Sequence, residues 1–189
     1  MFQPYNTLPD DYEMVKAINF VKNTRFALLI NILSLILFFV GVIVLTVPKG
    51  GFSYDLFQIL IVIGLLIPYI IIHELIHGLF FKINLKEKKV IYRFHGIAAS
   101  AGVAGVYYQK GHFMLVSIAP FLITALVLMP FLFFVNDYWY TIVAMLAAAN
   151  LAGSAGDLYL FVKLIFMDRR VLIEDYGPGM NFFLPKKDQ

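Results

Sequence analysis

Three side chains on one turn of an apolar stretch, His73, Glu74 and His77, are the residues of this sequence best equipped for chemistry. They form the pattern H-E-x-x-H as His73-Glu74-Leu75-Ile76-His77. On a helix, four residues turn through about 400°, so the two imidazoles stack on one face a turn apart. Two neutral imidazoles so placed can share one zinc ion. Glu74 projects about 100° round from His73, beside the metal without having to bind it, where it can take a proton from water. The pattern predicts His73 and His77 as zinc ligands and Glu74 as the base of a metal-dependent hydrolase.

Zinc hydrolases commonly use three protein ligands and keep one position open. Away from the ends of the apolar stretches, the one further ionisable side chain is Asp157. An Asp at the centre of a bilayer costs about 2.5 to 3.5 kcal/mol on insertion scales, so it needs a partner or a cavity. If the two helices concerned end at one membrane face near Phe81 and Phe166, a rise of 1.5 Å per residue sets comparable depths. His77 then lies about 6 Å in, His73 about 12 Å and Asp157 about 13 Å. Asp157 is therefore the leading third ligand. His95, in a loop that can fold back, is the runner-up. His112 reads as an interfacial residue, Asp137 falls on the opposite membrane face, and Glu87 reads as a solvated charge among lysines. Asn150, Gly153, Ser154 and Asp157 share a stripe at spacings of three and four. Asn150 is open to two readings, interhelical packing or a hydrogen bond to the scissile carbonyl or its oxyanion.

The elements that must position these groups follow from composition. The 189 residues are 61% hydrophobic and 14% charged, outside the soluble norm. The expected fold is an all-α membrane protein, one polytopic domain over 1–189. Its bundle of about four transmembrane helices spans about 26–47, 56–81, 113–135 and 138–166. Residues 1–25 are expected to lie on the membrane surface as a short helix, and 167–189 to form a polar tail. Between the second and third spans a short cytoplasmic hairpin or re-entrant segment is expected. There Gly96 to Tyr107 is either an edge that accepts an extended peptide or a packed loop.

Lys and Arg number three before the first span, one in the first loop, six in the second, none in the third and four after Phe166. The positive-inside rule then puts both termini and the 82–112 loop in the cytoplasm of a multi-pass cell-membrane protein. There is no cysteine, which excludes disulfides, thiolate zinc sites and cysteine nucleophiles. The net charge of +3 suits lipid headgroups better than nucleic acid, for which no motif is present.

The sequence resembles a known group at His73 to His77 with the following Gly78, at Ser117-Ile118-Ala119-Pro120 and at Gly156-Asp157-Leu158. These look like the bacterial membrane family described as putative zincin peptidases, a domain of unknown function, over about Pro9 to Phe166. More distantly the arrangement is similar to the site-two protease class of intramembrane metalloproteases. That similarity implies zinc on His73, His77 and Asp157, with Glu74 as base. Here Leu158 follows the aspartate where that class has glycine, and no proline lies between Asn150 and Asp157. The resemblance implies a zinc metalloendopeptidase acting on a peptide or membrane-protein substrate. Two other classes use the same ligands: a metal transporter or sensor without hydrolytic activity, and an inactive interaction protein with a structural metal.

Overall fold

The computed structural model describes residues 3–19, 23–51, 54–85, 88–95 and 98–186. Its framework is helical. The first helix, α1 (Thr24–Thr46), starts where Asn23 accepts the Phe26 backbone N–H at 3.1 Å and runs into a short 3-10 turn, Val47–Lys49. The second, α2 (Leu56–Phe81), opens on a reciprocal cap. Asp55 accepts the Gln58 N–H at 2.8 Å while the Gln58 side chain accepts the Asp55 N–H at 2.9 Å. These bonds satisfy two of the donors a helix start leaves open. The third, α3 (Lys110–Phe134), carries Pro120 and Pro130 within it.

Three segments, Thr24–Lys49, Leu56–Phe81 and Lys110–Phe134, are long and apolar enough to cross a membrane, with mean hydropathy of 3.0, 2.5 and 2.4. Their outward faces are lined with exposed apolar side chains such as Leu28, Phe39, Ile67, Leu126 and Phe133. The expected fourth span is corrected to two helices, α4 (Asp137–Gly153) and α5 (Ala155–Ile165), bent by 47° at Ser154. Gly153 stands at this break, where an added Cβ would lie 3.1 Å from the Tyr69 hydroxyl. Counted as one span, the bent pair makes four.

The fold is not all-α. Residues Tyr12–Asn19 form a strand, β1, where a surface helix was expected. After β2 (Ile91–His95), β3 (Ala98–Gly102) and β4 (Tyr108–Gln109), the expected polar tail supplies β5 (Leu172–Asp175) and β6 (Gly179–Pro185). One sheet has the order β1-β6-β5-β4, all antiparallel, and β2 pairs antiparallel with β3 alone. The N-terminal segment becomes a strand because β6 offers it a ladder from Tyr12↔Pro185 to Asn19↔Gly179. Backbone groups that a lone surface helix would satisfy internally are satisfied across strands instead.

This sheet closes the end of the bundle where α2 stops, α3 starts and α5 stops. Phe81, Tyr108, Phe113, Leu164, Ile173 and Phe182 form the buried core between helices and sheet. The Tyr108 ring lies 5.3 Å from that of Phe81, and its hydroxyl donates to the Phe81 carbonyl at 3.3 Å. The last turn of α2, which follows the H-E-x-x-H residues, is thereby packed into this core.

Candidate metal centre

His73 and His77 are both buried on the inner face of α2, with ring centroids 4.9 Å apart. Asp157, in the first turn of α5, meets them both. Its Oδ2 lies 3.1 Å from His73 Nε2 and 3.4 Å from His77 Nε2. One ligand atom from each of the three residues falls within 4.8 Å of the others, a grouping able to hold a metal ion. The 47° bend at Ser154 lies three residues before Asp157.

The other ring nitrogens decide what the Nε2 atoms can offer. His77 Nδ1 lies 3.0 Å from the Val116 carbonyl, which can only accept, so Nδ1 carries the proton. That carbonyl is available because residue 120, four positions on, is Pro120 and has no N–H to bond back to it. The proline within α3 thus creates the partner that fixes the tautomer of His77.

At His73 the fixing group is Tyr69, one turn earlier on α2. Asn150 donates from Nδ2 to the Phe121 carbonyl at 3.1 Å, which aims its Oδ1 at Tyr69. The Tyr69 hydroxyl donates to that Oδ1 at 3.1 Å, leaving its oxygen to accept from His73 Nδ1 at 3.3 Å. Both histidines are therefore held with Nε2 facing Asp157. The two Nε2 atoms and the carboxylate converge as a donor set able to hold a cation. Imidazole and carboxylate donors with outer partners on both imidazoles suit zinc.

Glu74 stands beside this group. Its Oε2 is buried without a hydrogen-bond partner, and the Ala101 backbone on β3 approaches the carboxylate. An orphaned buried carboxylate oxygen costs free energy unless something polar occupies the space before it. That space is a cavity of about 510 Å³. It is walled by α1, α2, β3, α3, the α4–α5 break and the turn between β5 and β6, and it includes His73, Glu74, His77 and Asp157.

The turn is a part of the site that reading the sequence missed. Asp175 borders the cavity, and its Oδ1 accepts the Gly177 N–H at 2.8 Å while its carbonyl accepts the Val103 N–H at 2.7 Å. Burial pushes its carboxyl up to about 7, against the lowering effects of the Gly177 N–H and of His77. Gly102 is needed here, since a Cβ would come within 2.4 Å of the Gly177 nitrogen. Gly78 has a similar reason: a Cβ would meet the Tyr92 hydroxyl on β2. In the sequence, only the Gly177-Pro178-Gly179 cluster hints at the turn, and nothing local ties it to His77, 100 residues earlier.

The remaining sequence candidates lie elsewhere. His112 is buried at the start of α3, with Nε2 2.9 Å from the Phe80 carbonyl, and is not in the metal-binding group. Asp137 is exposed at the start of α4. Glu87 and the side chain of His95 fall outside the described residues. Asn150 is buried with both ends of its amide bonded to protein, so it reaches the cavity through Tyr69.

The fold brings His73 and His77 on one helix to Asp157 on another, a group that could hold a metal ion, with Glu74 outside the group. Residues 66–172 match the family model described as "Putative zincin peptidase", and the chain belongs to that family. The matched region contains the whole His73, Glu74, His77 and Asp157 group, whereas β1 and β6 lie outside it. Neither a curated protein nor a solved structure matches the chain.

Proposed function

We propose that this chain is a membrane-embedded zinc endopeptidase that hydrolyses peptide bonds in or near the cytoplasmic half of the bilayer. The observation that carries the reading is the convergence of His73 Nε2, His77 Nε2 and Asp157 Oδ2 beside an unbonded Glu74 oxygen, all facing one cavity. His73, His77 and Asp157 hold the metal. A zinc ion there supplies Lewis acidity, polarising a carbonyl and acidifying water. Glu74 takes the proton of the attacking water and returns it to the leaving amine. Tyr69 and the Val116 carbonyl keep both imidazoles in the tautomer that binds metal. The membrane setting is supported by the apolar helices, and the cytoplasmic placement of both termini by the distribution of Lys and Arg. The substrate is a peptide or a membrane protein.

The test is Glu74→Gln in the purified full-length protein. Zinc content is expected to match the wild type. Cleavage is read as membrane-protein fragments that appear in cells with the wild type and vanish with the variant. Retained cleavage refutes the role of Glu74. Zinc uptake into liposomes by Glu74→Gln would instead identify a transporter built on the same ligands.

A further inference from the structure

The α1 wall of the cavity has a feature that the metal centre does not use. Between its ends, the 23 residues of α1 include only two polar side chains, Asn31 and Ser34. Three positions apart, they share a face, and both line the cavity opposite α2 with His73 and Glu74. At 1.5 Å per residue Asn31 sits about 10 Å along α1 from Thr24, close to the depth of about 12 Å reckoned for His73 from the end of α2.

Asn31 is exposed to that open space, and among the described residues its amide has no hydrogen-bond partner. Asn150, the other amide near the site, has both ends bonded. An amide in an apolar helix loses free energy unless a polar group meets it. Asn31 lines the cavity, so a polar group entering there can meet it. α1 is anchored elsewhere: Gly41 lies against Ala148 on α4, with a Cβ position 3.1 Å from it, and Phe26 packs edge-on to Tyr159 at 5.2 Å. Between those two anchors the helix serves as a wall.

We propose that Asn31, seconded by Ser34, is a substrate-positioning residue that pairs its amide with a peptide unit of an extended chain lying between α1 and α2. The chemistry matches, since a primary amide offers one acceptor and two donors, and a peptide unit offers the complementary N–H and C=O. Pairing a backbone unit places no demand on its side chains, so this contact holds the chain in register without selecting sequence. The inference rests on the peptidase reading and adds to it the group that orients the chain before hydrolysis.

Two measurements on the full-length protein test it. With zinc bound, Asn31→Ala is expected to weaken binding of an apolar tetrapeptide hydroxamate about tenfold. Zinc content and binding of acetohydroxamate, which has no peptide to align, stay unchanged. The control Ile32→Ala, on the outward face of α1, leaves all three unchanged. Equal affinity of Asn31→Ala and wild type for the tetrapeptide probe overturns the proposal while leaving the metallopeptidase reading intact. Failure of either hydroxamate to bind the zinc-loaded wild type overturns that reading and this proposal with it. The chain has no cysteine, so Asn31→Cys and Ile32→Cys each carry a unique thiol. In metal-free protein in nanodiscs, a cationic water-soluble methanethiosulfonate is expected to modify the first at least tenfold faster. Equal rates mean that Asn31 does not face a hydrated cavity, which also refutes the proposal.

Discussion

Replacing Pro120 by alanine tests whether an irregularity in α3 serves the metal centre on α2. The native proline leaves the Val116 carbonyl without its helical N–H, and His77 Nδ1 takes that place at 3.0 Å. Alanine restores an N–H at position 120, aimed along the helix at the same carbonyl. A carbonyl has two lone pairs, so the imidazole is not displaced outright, but it must share an acceptor and tilt towards the remaining lone pair. The net worth of such a bond is about 1 kcal/mol, and losing an outer partner of a metal ligand typically costs about 10- to 100-fold in affinity. Because the bond is shared and not removed, zinc affinity is expected to fall by roughly tenfold, the lower end of that range. Stability of the metal-free protein is expected to move much less. The regained helical hydrogen bond, about 1 kcal/mol, offsets the packing lost by shrinking a buried side chain, which is of similar size. Competition against a chromophoric chelator gives the affinity, and thermal unfolding in detergent without metal gives the stability. Unchanged zinc affinity would show that the Val116 carbonyl does not orient His77, and the account of the tautomer would fail with it.

Asp157→Ala is expected to reduce bound zinc to a small fraction of the wild-type content, measured by atomic emission on purified protein, while His95→Ala retains it. The reverse result would move the third ligand from α5 to the β2 strand. For Asp175 the sign of the pH effect follows from its carboxyl being pushed up to about 7 in the fold, from an ordinary value of 3.8. Its contribution to stability is full below about pH 4 and is lost as pH rises through 7, by roughly 4 kcal/mol at most. Asp175→Asn keeps the acceptor for the Gly177 N–H and removes the titration. Metal-free Asp175→Asn should therefore lose less stability than wild type between pH 4 and 8 in denaturant titrations. Parallel pH profiles for the two proteins would contradict the assignment.

The grouping of His73, His77 and Asp157 was legible in the sequence for a reason specific to apolar helices. Ionised groups are so costly there that His73, Glu74, His77 and Asp157 had to compensate one another, and a fixed rise per residue made depth a usable coordinate. The structure brings His73, His77 and Asp157 together. The same logic did not single out Tyr69, Asn31 and the Val116 carbonyl, because a neutral polar side chain costs less there than an ionised one and a backbone carbonyl leaves no mark in the sequence. Tyr69 and the Val116 carbonyl meet the outer nitrogens of His73 and His77, so the cost that reveals an ionisable group leaves its supports unmarked. The strands were illegible on other grounds. Met14 and Ile18 are spaced as well for a helix as for anything else, and the ladder that makes β1 a strand lies at least 160 residues away in β6. Local pattern cannot report a partner at that separation. The break at Ser154 follows the same rule: the small residues around it, read as a seam for close helix packing, also permit a 47° bend. What selects the bend is tertiary, since Tyr69 packs against Gly153 and Asp157 meets His73 and His77 only on the far side of it. Asp157 stands three residues beyond Ser154, so the direction taken by α5 after the bend is the one that presents its carboxylate to the imidazoles of α2.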